Sequence, residues 1–127
     1  MPPEMKMKHH DPVGPAMARA AATGKKIVVL YGGDWCSGSR RMEAVLRTRD
    51  IARLLNQHFV LVKRYVGPDG SSIPCLIERP PMRSVPFFSL VTSEGKILRN
   101  QATEPFEFLW FYRRSAIYRL FEEWAKI

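Results

Sequence analysis

Two cysteines, Cys36 and Cys75, are all the thiol chemistry that this 127-residue chain carries. Two are too few to staple a small fold or to build a cysteine-rich zinc site. Long hydrophobic runs are also lacking. No stretch approaches the ~18 consecutive apolar residues of a membrane span. The Met-, Pro- and Lys-rich start has no signal-type apolar core; residues 16–22 come closest, and Arg19 interrupts them. The compartment stays open between the cytoplasm and an exported setting reached by a form whose signal has been removed. Acidic residues are few, 12 against 20 Lys and Arg, for a formal net charge of +8. That balance raises nucleic-acid binding as a reading. No recognised binding motif accompanies the charge, so a solvated basic surface is preferred. His9-His10 has no third ligand near it, and neither a metal nor a cofactor is implied.

What is present suffices for one domain with a real core, since 46% of residues are apolar. Residues 1–14, with three prolines and little periodicity, read as a flexible N-terminal arm ahead of a domain over 15–127. Pro15 and Gly24 punctuate a short helix. A β-branched apolar run over 25–31 predicts a buried strand. Helical patterns follow over 36–47 and 50–58, then a second strand over 59–66. Residues 67–84, with Pro68, Pro74, Pro80 and Pro81, form a long loop of the kind that is usually functional or mobile. Strands over 87–91 and from Ile97 are joined through Ser93-Glu94-Gly95-Lys96 as a hairpin. Thr103-Glu104-Pro105 then predicts the start of a long final helix. Phe106, Leu109, Trp110, Ile117, Leu120, Phe121 and Trp124 would face the sheet. Phe108, Phe111, Tyr112 and Tyr118 fall off that stripe, to be covered by the arm or by a second copy in a homodimer. This order implies a mixed sheet with helices on both faces.

The chemistry concentrates at Trp35-Cys36-Ser37-Gly38-Ser39. A cysteine between a strand and a helix meets the free N–H groups and partial positive charge of the helix start. Both favour the thiolate. Arg40 and Arg41 stand beside it, with Arg47, Arg49 and Arg53 further on, and nearby cations lower a thiol pKa further.

These residues resemble the thioredoxin superfamily, and most closely its compact branch with Lys-Lys, an apolar run, then Gly-x-Trp-Cys. Three stretches carry the resemblance: Gly33 through Arg40; the stretch over 50–62 with Leu54-Leu55-Asn56 and Phe59-Val60; and Val85-Pro86 before Phe87-Phe88. It implies an α/β, thioredoxin-like fold with a central mixed four-stranded sheet. It places Cys36 as nucleophile, Ser39 at the resolving position, Arg40 as a basic neighbour that tunes the thiol, and Trp35 as a wall of the site. It implies a cis bond at Val85-Pro86, where the Val85 backbone would pair with an extended client peptide.

Two departures matter. Ser39 replaces the second thiol, and a hydroxyl does not form disulfides. Leu30 stands where many relatives hold a buried carboxylate. Both weaken resolution of a mixed disulfide. The resemblance is then to monothiol members, including the anterior gradient proteins with their Cys-x-x-Ser layout. The expected partner is a cysteine-containing protein or glutathione, with resolution by an outside thiol. Cys75, in the long loop, is either a displaced resolving thiol or a loop cysteine with no role. The competing reading is a non-catalytic binding or chaperone module in which Cys36 is incidental.

Overall fold

The computed structural model of the protein describes residues 13–127. Most of the expected arm, with His9-His10, lies outside the described residues. The first helix, α1 (Val13–Thr23), starts two residues before Pro15. It ends at Gly24, whose φ of 68° is a left-handed cap, and the Lys25 amide bonds back to the Ala20 carbonyl at 3.0 Å.

The apolar run becomes β1 (Lys26–Gly32), buried at six of its seven positions. It lies between β2 (Phe59–Tyr65), parallel to it, and β3 (Phe87–Val91), antiparallel to it. β4 (Ile97–Ala102) pairs antiparallel with β3, giving the order β2-β1-β3-β4. The parallel β1–β2 pair needs a crossover, which α2 (Ser37–Leu46) and α3 (Arg49–His58) provide.

A central strand covered on both sides sends alternate side chains into two cores. Val28 and Leu30 meet Met42, Ile51, Phe88 and the terminal helix. Ile27, Val29 and Tyr31 meet Ala16 and Ala20 of α1, together with Val62, Ile77 and Val91. Ala16 and Ala20, one helical turn apart, are fully buried, and their small size lets α1 lie close on the sheet. The expected α/β architecture, a mixed four-stranded sheet between helical layers, is the one observed.

The single long final helix is not. Thr103 stands at the N-cap position without a side-chain capping bond, Pro105 sits in the first turn, and the result is one 3-10 turn, Glu104–Phe106. A hairpin follows, β5 (Glu107–Phe108) with β6 (Phe111–Tyr112), closed by the Arg113 amide on the Phe106 carbonyl at 2.8 Å. Leu109 turns it with a φ of 57°. Only then does α4 (Arg114–Trp124) begin, with Ile117, Leu120, Phe121 and Trp124 buried. The correction has a physical cause. Ile117, Leu120, Phe121 and Trp124 face the core as expected, but Leu109 and Trp110 reach no part of the core and stand exposed at a hairpin tip. Of the four aromatics off that stripe, Phe108, Phe111 and Tyr112 therefore sit on a hairpin, and only Tyr118 lies on a helix, α4.

Candidate functional site

The site forms where β1 runs out. The chain turns over Gly33–Trp35, the Cys36 amide donates to the Gly33 carbonyl at 3.1 Å, and α2 begins. Cys36 is the N-cap, in extended conformation (φ −102°, ψ 121°), and its side chain makes no capping bond. Its sulfur is thus placed where a helix start leaves amides unpaired. Among the described residues the half-buried Sγ has one polar contact, the Val85 carbonyl at 3.9 Å. The Val85–Pro86 peptide bond is cis, and β3 begins at the next residue.

Trp35 is pinned rather than free. Its indole Nε1 donates to the Val66 carbonyl at 2.7 Å, while 40% of the residue stays exposed. With Cys36, Val85, Met82 and Arg83 it lines a hollow of about 400 Å³ roofed by the long loop. The loop is braced by two arginines, one of its own and one from β2. Arg79 donates to the Gly70 carbonyl at 2.8 Å and to the Ser72 hydroxyl, and Arg64 donates to the Ile73 carbonyl. Asp69 accepts from the Ser71 hydroxyl and amide, which holds its carboxyl below the usual range.

Ser39 points inward. It is 3% exposed, and its Oγ accepts the Gly33 amide at 3.3 Å. A Cβ on Gly32 would fall 2.5 Å from that oxygen, so glycine at 32 is what lets Ser39 seat there. Arg40 is exposed and donates to the Asp34 carbonyl at 2.6 Å, clamping the turn that presents Cys36. Leu30 lies in the apolar core, 1% exposed.

The structure adds Tyr112, which the sequence placed off the useful face of a helix. From β6 it reaches α2. A Cβ on Gly38 would fall 3.0 Å from its hydroxyl, 3.3 Å from Pro86 Cδ and 3.7 Å from Cys36 Sγ. The Arg41 guanidinium lies over its ring at 5.8 Å. Burial raises the Tyr112 hydroxyl pKa; a hydrogen bond with Thr103 works against this, and negative charge on Glu107 and Cys36 adds to it. No spacing signal pointed to this residue, because its position depends on the hairpin.

Cys75 is elsewhere. It is exposed, contacts the Ile77 carbonyl at 3.9 Å, and lines a separate hollow with Tyr31, Arg64 and Arg79. Both cysteines are free. The Tyr31 hydroxyl, buried beside it, has its pKa pushed up to about 12, first by desolvation and then by charge on Cys75. Among the described residues no helix is long and apolar enough to cross a membrane.

A mixed sheet with a cysteine at the first crossover helix, facing a cis-proline step, defines the thioredoxin class of folds. The chain belongs to the thioredoxin-like family, whose model matches residues 11–93. Among solved structures it is similar to a disulphide isomerase from Xylella fastidiosa Temecula1, with a TM-score of 0.72 and 24% identity over 89% of this chain and 88% of that one. It is also similar to a DsbH oxidoreductase, with a TM-score of 0.65 and 16% identity over 94% and 85% of the two chains. A thioredoxin-fold protein from Helicobacter pylori aligns with a TM-score of 0.54 and 14% identity over 82% and 71%. No curated protein matches the chain. At these identities the structural likeness speaks for the fold.

Proposed function

We propose that the protein exchanges thiols and disulfides through Cys36 alone, as a monothiol member of its family. The observation that carries this reading is a half-exposed cysteine capping α2 beside the Val85 carbonyl, with a buried serine where a second thiol would stand. The Cys36 thiolate attacks one sulfur of a client or glutathione disulfide. A Cys36–S bond forms, the other sulfur leaves as a thiolate, and that thiolate takes a proton from water. A second, external thiolate then attacks the mixed disulfide and releases Cys36. One disulfide is broken and one made at each step, so no further oxidant or reductant is needed. Trp35 and Val85 border the hollow that would receive the client chain, and the Val85 backbone would pair with it in strand fashion.

The test is intact mass after incubation with oxidised glutathione near neutral pH. A single adduct on Cys36, absent in Cys36→Ala and retained in Cys75→Ser, is the expected result. Loss of two hydrogens without an adduct would replace this reading with a Cys36–Cys75 pair. An unchanged mass would leave a binding module in which Cys36 is incidental.

A further inference from the structure

β2 is an edge strand, and part of its edge is open. It pairs with β1 on one side, in the order β2-β1-β3-β4. Backbone groups of a parallel strand face its partner at every second residue. The Val66 amide donates to the Gly32 carbonyl at 2.8 Å, so Val60, Val62 and Arg64 likewise turn their backbone groups toward β1. Phe59 turns its amide the other way, where it closes α3 on the Leu55 carbonyl. Leu61 and Lys63 therefore present theirs outward, and among the described residues these groups meet no backbone partner. A strand edge of this kind is a template for a further strand.

That edge opens into a basic hollow. Leu61 and Lys63 line a cavity of about 340 Å³ together with Arg19 of α1, Asn56 of α3, and Lys25. Among the described residues no acidic side chain lines it. Lys63 pairs with Glu43 at 2.8 Å, from outside the hollow. Lys25 donates to the Asn56 carbonyl at 2.9 Å, a neutral partner that leaves its charge uncancelled. A second copy of the chain paired edge to edge would set these cations against their own counterparts, which opposes association. Carboxylates on an incoming strand would be drawn in. We infer that the β2 edge docks an extended, acidic segment of a partner polypeptide as an added strand, its backbone on Leu61 and Lys63 and its carboxylates on the surrounding cations. The hollow lies where β1 and β2 start. The seven residues of β1 carry the chain about 20 Å from there to the end where Cys36 stands. This docking surface is thus separate from the thiol and does not depend on the exchange reaction.

The test titrates the full chain into a short fluorescein-labelled peptide of alternating glutamate and valine, read by anisotropy at low ionic strength. Saturable binding is expected, about ten-fold weaker or more when lysine replaces the glutamates. Two further versions of the peptide are N-methylated at alternate amides, one on each side of the strand. The version that blocks the side facing β2 should lose binding, and the other should keep it. Equal binding of the two overturns strand pairing, and no binding of the parent peptide overturns the inference altogether. Lys25→Glu should weaken the parent peptide about five-fold. If that variant does not fold, the N-methylated pair on the wild-type chain decides alone. Cys36→Ala should bind as wild type does; loss of binding there would move the site to the thiol and overturn the assignment. A protein dimer that the peptide breaks up would give the edge to a second copy, and an oligothymidylate of equal charge that displaces the peptide as well as unlabelled peptide does would make the hollow a general anion site. Either result overturns the inference.

Discussion

Thr103 Oγ1 donates a 2.7 Å hydrogen bond to the carbonyl of Pro86, and both partners are buried. One hydroxyl thus ties the end of β4 to the segment that faces Cys36. A buried carbonyl left without its donor loses the full desolvation of that group. Thr103→Val keeps the shape and removes the donor. We expect it to lower unfolding stability by about 1–3 kcal/mol in urea titrations. The reaction of Cys36 with small disulfides should slow as well. Unchanged stability would show that Pro86 finds another donor.

Ser39 gives a second expectation. Its Oγ satisfies the buried Gly33 amide, so Ser39→Ala should destabilise by about 1–3 kcal/mol in the same titration. Ser39→Cys supplies the missing thiol in a site already close-packed against Gly32. Glutathione adducts on Cys36 should then fail to accumulate, because the new thiol attacks them. Mass spectrometry would show loss of two hydrogens instead. An adduct that persists as in wild type would mean the buried position cannot turn toward Cys36.

Gly38 and Tyr112 should be coupled. Alanine in a helix gains about 0.5–1 kcal/mol over glycine. Here its methyl would press a phenol oxygen at 3.0 Å and a proline ring at 3.3 Å, and one or the other must shift by a few tenths of an ångström. We expect Gly38→Ala to be destabilising by about 1 kcal/mol or more. In a Tyr112→Phe background, where the oxygen is gone, the loss should shrink or reverse. A double-mutant cycle in thermal melts measures this, and strict additivity would deny the contact.

Tyr31 sets an alkaline limit. Its pKa rises from 10.0 to about 12 on folding, so the folded state holds the phenol proton more tightly than the unfolded state does. The stabilisation is complete below pH 10 and is lost as pH climbs from there toward about 12. The thermal midpoint should fall across that window, and Tyr31→Phe should flatten the fall. Identical slopes in the two proteins would place the alkaline loss on other groups.

The sheet and its flanking helices were legible because their signals are local. The β-branched run over 25–31, Gly24 at a helix end and the paired apolar spacing of α3 each act within a few residues. The position of Cys36 at the β1–α2 junction was legible for the same reason. The region after Thr103 was not. Thr103 does stand at the N-cap of the Glu104–Phe106 turn, but its hydroxyl goes to the Pro86 carbonyl instead of capping it. However, Leu109 and Trp110 match a helical stripe as well as a hairpin tip, and only the tertiary frame decides between them. With the helix misread, Tyr112 could not be brought to Gly38. The orientation of Arg40 toward Asp34, and of Ser39 toward Gly33, depends on the turn that presents Cys36, and residue spacing does not encode that turn.

The two arginines that brace the long loop donate to neutral oxygens: the carbonyls of Gly70 and Ile73, and the Ser72 hydroxyl. Dissolved electrolyte weakens attraction between opposite charges far more than it weakens bonds of this sort. The roof over the Trp35 hollow should therefore keep its shape from dilute buffer to strong brine. Any dependence of exchange rate on ionic strength would then come from the charges around the Cys36 thiolate and on the incoming molecule, with the receiving surface held constant.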